Sequence, residues 1–264
     1  MTKLCSTRLL IAVCIFLGTT TLLNAQESDA VDSKPLKLKD QFSEIVERIS
    51  LSIADSPVGK PEQPVLSWSN PERNTTAGAL YLWTQEGRPL AAMCLYPSLE
   101  QVHVEFQSLG SQAISARDRS RMIWEPNDPG VTWKDVHDGE SPLKTPFQRI
   151  RQMKSIANRF AATLVPPQKP SIPLRMLERP IYRYPTKLSG DVIDGAVFTF
   201  VQGTDPEVLI LLEAYQSGSE QHYRYALARM SIVPTQVKID NTLVWETQWA
   251  TQRSYTPYWV YQTK

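Results

Sequence analysis

The chain has 264 residues, with 28 Lys plus Arg against 27 Asp plus Glu and only three cysteines. A formal charge of +1 gives no electrostatic argument for nucleic acid or an anionic membrane surface, so neither is expected as a partner. Once the N-terminal segment is set aside only Cys94 remains, which excludes an intramolecular disulfide and leaves packing as the source of stability.

Lys3 and Arg8 flank the start of an apolar run from Leu9 to Leu17, and Leu23-Asn24-Ala25 ends on a small residue. Together these read as a secretory signal over residues 1–25. Leu23 is larger than such sites favour, so retention as an anchor stays open, although the run is shorter than the roughly 20 residues of a membrane span. Cys14 follows the bulky Val13, which argues against lipidation. No later segment is apolar enough to span a bilayer. The product is therefore expected to be periplasmic or secreted, with no integral span once the signal is removed.

Residues 26–37 are small and polar and read as a disordered leader. Leu38, Phe42, Ile45, Val46, Ile49 and Ile53 then form a helical stripe opposed by Lys39, Glu44, Glu47 and Arg48. Ser56 to Pro64 is a proline-rich connector. Strands are expected over Val65 to Asn70, Gly78 to Thr84 and Leu90 to Tyr96, the last two joined by a turn at Glu86-Gly87. Val102, Val104 and Phe106 alternate with His103, Glu105 and Gln107, the pattern of a half-buried strand. Ser111 to Asp138 is charged and turn-rich, with Trp124 and Trp133 as apolar pegs.

Thr145-Pro146-Phe147-Gln148 has capping-box spacing with proline at the first helical position. The stripe Phe147, Ile150, Ala157, Phe160, Ala161 and Leu164 extends a second helix to Pro166-Pro167. Pro170 to Pro185 reads as an extended connector. Asp194 to Met230 is the densest apolar block in the chain. It divides into a strand through Phe200, a short apolar run from Val208 to Leu212 that is read as strand rather than buried helix, and a strand through Tyr223, Tyr225 and Leu227. A further hairpin joins Val237 and Ile239 to Leu243 and Trp245 across Asp240-Asn241. Trp249 to Tyr261 is aromatic but has no period.

Gly78 to Gln85, followed by Pro89, aligns without a gap with Gly195 to Gln202, followed by Pro206. His103 and Phe106 are matched to His222 and Tyr225. This predicts two helix-plus-sheet units over residues 38–140 and 144–250, followed by an aromatic tail at 251–264. The competing reading is that glycine-led aromatic strands look alike anywhere. The fold class expected is α+β, with antiparallel sheets and two main helices, and the duplication left open.

Trp68-Ser69-Asn70-Pro71, the Gly78 to Thr84 strand, Arg151-Gln152-Met153, Pro180 to Tyr184, Asp194 to Glu207 and Tyr225 to Met230 together resemble an uncharacterised family of exported bacterial proteins. The likeness covers most of residues 26–264. It implies export and a shared fold, and it transfers no activity and no catalytic residue.

The sites the residues themselves suggest are few. His103, His137 and His222 lack any close ligand spacing, so no metal is expected. Gly203-Thr204-Asp205-Pro206 lacks the glycines and lysine of a phosphate cradle, and no cofactor is expected. Cys94 lies in an apolar strand and reads as an inert buried thiol. If the two halves face each other, His103 and His222 could meet near Glu105 and Glu213, which makes these four the candidate residues of a hydrolase. Asp205 with Glu207 is a second carboxylate pair. Glu213 is also expected to pair with Arg224 or Arg229. Trp124, Trp133, Trp249, Tyr255, Tyr258 and Trp259 offer rings for stacking on a glycan or peptide, or plugs for the core. The function expected first is a non-enzymatic binding or envelope-associated structural role with a protein or glycan partner; a hydrolase acting between the halves comes second.

Overall fold

A computed structural model describes residues 29–99, 101–185, 188 and 190–263. The signal expected over residues 1–25 lies outside the described residues. The chain falls into two compact units, Met1–Lys34 and Pro35–Lys264, and the packing below concerns the second.

The first half opens with helix α1 (Asp29–Arg48), which starts inside the stretch expected as a leader and runs directly into β1 (Ile49–Ile53). A short β2 (Ser56–Pro57) precedes a meander of β3 (Leu66–Asn70), β4 (Thr75–Gln85), β5 (Arg88–Ser98) and β6 (Gln101–Ser108). The hairpin of β7 (Ile114–Asp118) and β8 (Arg121–Trp124) follows, and then β9 (Lys134–Asp135). In the second half α2 (Pro146–Ala157) leads into β10 (Phe160–Leu164), and the short β11 (Ile172–Pro173), β12 (Arg175–Met176) and β13 (Tyr182–Arg183) occupy the extended connector. A meander of β14 (Val192–Gln202), β15 (Asp205–Ser217) and β16 (Glu220–Arg229) leads to the hairpin of β17 (Thr235–Ile239) and β18 (Thr242–Thr247), and β19 (Tyr258–Thr263) ends the chain's described part.

Four antiparallel sheets result, in strand orders β2-β1-β7-β8, β19-β6-β5-β4-β3, β12-β14-β15-β16-β9 with β13 also on β14, and β11-β10-β17-β18. The two large sheets exchange their outermost strands. β9, which follows the first half, adds to β16 of the second, while β19, which follows the second half, adds to β6 of the first.

The large sheets pack face to face through Leu80, Leu82, Ala92 and Cys94 on one side and Val197, Leu209, Leu211 and Ala226 on the other. Their outer faces are covered too. Phe42 and Ile45 of α1, with Ile49, Leu51 and Trp124 from the small sheet, cover Trp83, Met93 and Phe106. Met153 and Ile156 of α2, with Phe160 and Val237, cover Phe198, Ile210 and Leu212. Both faces of the central strands are therefore dry, so Leu80 to Trp83 and Val208 to Leu212 are apolar without alternation, a pattern otherwise familiar from doubly covered parallel sheets.

This corrects the expected α+β class. Strand accounts for 52% of the chain and helix for 12%, so the fold is β-rich. Two of the differences have one cause. The stripes through Ile53 and Leu164 read as helix, yet both helices stop earlier and continue as β1 and β10. Ile49 and Leu51, like Phe160, Ala162 and Leu164, also fit period two, and they are buried alternately. What selects strand is pairing with β7 and with β17, partners remote in sequence that no local pattern reveals. The start of α2 does follow its local signal: Thr145 accepts from the Gln148 amide and the Gln148 side chain bonds back to the Thr145 amide.

Gly78 and Gly195, the first residues of the gapless alignment, do the same work in the two large sheets. Gly78 pairs with Trp68 across β3–β4, and its backbone lies under the indole. Gly195 accepts from the Tyr184 amide at 3.0 Å and lies under the phenol. A Cβ at either position would fall inside the ring, so the aromatic covers a glycine that only glycine can be. Gly78→Ala and Gly195→Ala should each lower stability by roughly 2–3 kcal/mol through overpacking, read as a shifted urea midpoint. Gly59→Ala, where a Cβ meets nothing within 4 Å, should change it by less than about 0.5 kcal/mol.

Candidate functional site

The four candidate residues are separated. Glu213 lies in β15 with a fully buried carboxylate. Arg88 Nε and Nη2 donate to its two oxygens at 2.7 and 3.1 Å, Arg224 Nε and Nη2 donate to Oε2 at 3.0 and 2.8 Å, and the Tyr184 hydroxyl donates to Oε1 at 3.2 Å. The expected pairing with Arg224 is present, and Arg88 from the other half joins it. Five donors occupy the lone pairs of this carboxylate, so none is left to face a substrate.

His103 and His222 do not meet, which corrects the constellation built on them. His103 lies opposite Tyr96 on β5–β6, while His222 lies opposite Tyr215 on β15–β16. Counted from Gly78 and Gly195, His222 is two residues farther out toward its hairpin turn, because the β15–β16 hairpin is longer than its counterpart. The strand register thus matches His103 to Arg224 rather than to His222. His222 Nε2 sits 3.2 Å from Glu220 on the rim of a groove it shares with His137. His103 packs its ring edge-on against Tyr96 and contacts the Gln262 amide, and burial lowers its pKa.

What the fold does bring together is Glu105 with the second carboxylate pair. Glu105 on β6 reaches the inter-sheet layer, and the Tyr258 hydroxyl of β19 donates to it. Asp205 and Glu207 open β15 and share Arg73, whose Nη1 lies 3.1 Å from Asp205 Oδ2 and 2.8 Å from Glu207 Oε1. Asn70 adds a long contact to Asp205 at 3.5 Å. Burial pushes all three acids up: Asp205 to about 6 and Glu207 to about 7, each partly countered by Arg73, and Glu105 well above the carboxylate range, partly countered by Tyr258. Two of them also feel the negative charge of a neighbour in the trio, Asp205 raising Glu207 and both raising Glu105. The Cys94 thiol, wholly buried and accepting from Trp68 Nε1 at 3.3 Å, is raised by the same burial and charges, which fits an inert thiol. Glu105, Asp205 and His103 line a groove of about 710 Å³ at this end of the sheet pair.

A second groove, of about 540 Å³, adjoins the first at Tyr258, which lines both. Its walls come from both halves: Gln107 of β6, the Pro129–Lys134 loop, Tyr225, Leu227 and Arg229 of β16, Trp245 of β18 and the Gln248–Thr251 turn. Here Trp249 is 52% exposed, whereas Trp124 and Tyr258 are buried. The rings expected either to stack or to plug therefore divide into exposed and buried ones. Arg229 stacks on Tyr258 at 5.1 Å and spends its donors on the carbonyls of Ser231, Val233 and Gln248, so it holds the wall rather than reaching into the groove. Lys134 likewise donates to the Val244 carbonyl at 2.7 Å. Among the described residues lining this groove there is no Asp, Glu or His.

Sequence reasoning missed Arg73 and Arg88, since a lone arginine beside a turn carries no signal. It also missed β19, whose pairing with β6 is what turns the aromatic tail into a groove wall. Among the described residues no cluster of His, Cys, Asp and Glu is arranged to hold a metal ion, and no helix is long and apolar enough to cross a membrane.

The acid trio fixes a pH dependence. In the unfolded chain these carboxyls titrate near ~4, while in the fold Asp205 and Glu207 titrate at about 6 and about 7. Between those values the folded protein holds more protons than the unfolded one, so their contribution to stability falls as pH rises through that interval. Glu207→Gln, which mimics the protonated acid, should leave the urea midpoint nearly unchanged at about pH 4 and stabilise increasingly above it, by roughly 2–3 kcal/mol at about pH 8. A difference independent of pH would contradict the assignment. Comparison with family models, with curated proteins and with solved structures finds no match to this chain.

Proposed function

We propose that this is an exported, non-enzymatic binding protein whose ligand site is the aromatic groove between the two halves, and that the ligand is a glycan. The observation that carries the reading is the lining: exposed Trp249 beside Trp245 and Tyr258, with Gln107, Thr132, Thr247 and Gln248 around them and no acid or histidine. Flat rings next to uncharged hydrogen-bonding groups suit the apolar faces and hydroxyls of sugar rings. Without a carboxylate or imidazole, the groove lacks the acid and base that glycoside hydrolysis uses. Export rests on the reading of residues 1–25. A duplicated origin of the two halves is supported by the gapless glycine alignment, the parallel helix-to-strand openings and the reciprocal exchange of β9 and β19.

Titration of the intrinsic tryptophan fluorescence with soluble glucose and N-acetylglucosamine oligomers tests this. Saturable binding is expected, and Trp249→Ala should weaken it at least tenfold, about 1.4 kcal/mol. Absence of saturation with every oligomer, or unchanged affinity in W249A, would overturn the reading.

The acidic groove favours a second reading, hydrolysis, because Asp205, titrating at about 6, lines it with a second raised acid, Glu105, the form in which proton donors occur. It predicts release of nitrophenol from aryl glycosides that disappears in Glu105→Gln and in Asp205→Asn while both variants remain folded.

A further inference from the structure

We propose that Arg88 and Arg224 form a second ligand site, which takes a small oxyanion borne as a phosphate or carboxylate group. The site lies in a recess of about 600 Å³ lined by both arginines, Asp191, Tyr215 and the Gln216–Gly218 turn. Arg88 begins β5 of one large sheet and Arg224 lies on β16 of the other, so the pair exists only where the two halves join.

Charge balance is the first argument. Glu213 needs one cation, and a single guanidinium presented side-on would satisfy both oxygens. It has two, which leaves one net positive charge among Arg88, Arg224 and Glu213, opposed on the recess wall by Asp191. The donors are the second argument. Each guanidinium carries five N–H groups, and each commits only its Nε and Nη2 to Glu213. The Nη1 groups of both arginines make no hydrogen bond among the described residues, so the end of each fork away from Glu213 is unspent, and both side chains are part-exposed, at 40% and 22%.

The forks are also held still. Arg88 and Arg224 lie over the Trp133 ring at 5.3 and 4.9 Å, and Arg224 lies over Tyr215 at 4.6 Å. Stacking with a buried carboxylate as anchor fixes the guanidinium planes before a ligand arrives, which lowers the entropy cost of binding. The Tyr215 hydroxyl is committed to Asp135 at 2.6 Å. Asp191 is the acid of the lining, and its main-chain carbonyl accepts from the Gln216 amide at 2.8 Å.

Isothermal titration of residues 26–264 with inorganic phosphate and, separately, with acetate, at ionic strength held constant with sodium chloride, tests the site. Half-saturation below about 10 mM by either probe supports it, and the better probe identifies phosphate or carboxylate as the group carried by the ligand. Arg88→Met removes the surplus cation while leaving Glu213 balanced by Arg224, and should abolish saturation. Arg88→Lys keeps the charge but not the fork, and should weaken binding at least fivefold. Trp249→Ala, in the aromatic groove, should bind the anion as wild type does, so failure of the glycan reading would leave this one standing. No saturation below about 10 mM with either probe, or equal binding in a folded R88M or R88K variant, would overturn the proposal.

Discussion

The molecule depends on one dry layer, the contact of the two large sheets through Leu80, Leu82, Cys94, Leu209 and Leu211. Because β4, β5, β14 and β15 give one apolar face to that layer, their opposite faces need separate cover, and each helix with its small sheet supplies it. Burial of both faces is the main stabiliser available to a chain in which Cys94 is the one cysteine after the N-terminal segment. It also forces the hairpin turns of each sheet to end against the other sheet, where buried polar groups must find partners.

Those turns explain where the polar chemistry sits. The β4–β5 turn delivers Arg88 to Glu213 of the opposite sheet. The β14–β15 turn delivers Asp205 to Arg73, and Thr204 beside it exchanges hydrogen bonds with the Ser69 backbone. One end of the sheet pair is thereby a carboxylate clamped by two arginines, and the other is three carboxylates with one arginine between two of them. The first is over-supplied with positive charge and the second with negative. Burial is what raises Asp205 and Glu207, and the one arginine they share counters it only in part. The recesses that accompany this polar chemistry lie at the ends of the layer and along the edge that β9 covers for only two residues of β16.

Much of the fold is legible in the sequence. The strands through Trp83, Leu95, Phe106, Phe200, Leu212 and Leu227 follow from β-branched and aromatic runs bounded by turns, and the α2 cap follows from Thr145 and Gln148. The site was legible only in fragments. Asp205 with Glu207 was visible as a pair, and Glu213 with Arg224 as an ion pair, since both are near in sequence or across one hairpin. Arg73, Arg88 and Tyr258 were not, because their partners lie in the other half of the chain. The pairing of His103 with His222 failed on two residues of extra length in each arm of the β15–β16 hairpin, a difference that loop-tolerant alignment absorbs and a hydrogen-bonded register does not.

By itself the sequence determined local things: where strands run, where turns break them, and that strands apolar on both faces require two covers. These follow from side-chain shape and backbone sterics within a few residues. Tertiary structure alone decided that Ile49–Ile53 and Phe160–Leu164 are strands, that β9 and β19 are exchanged between sheets, and which arginine meets which acid. Hydrogen-bond partners and counter-ions of these groups lie tens to hundreds of residues away, and their free energy appears only once the chain has brought them within contact distance.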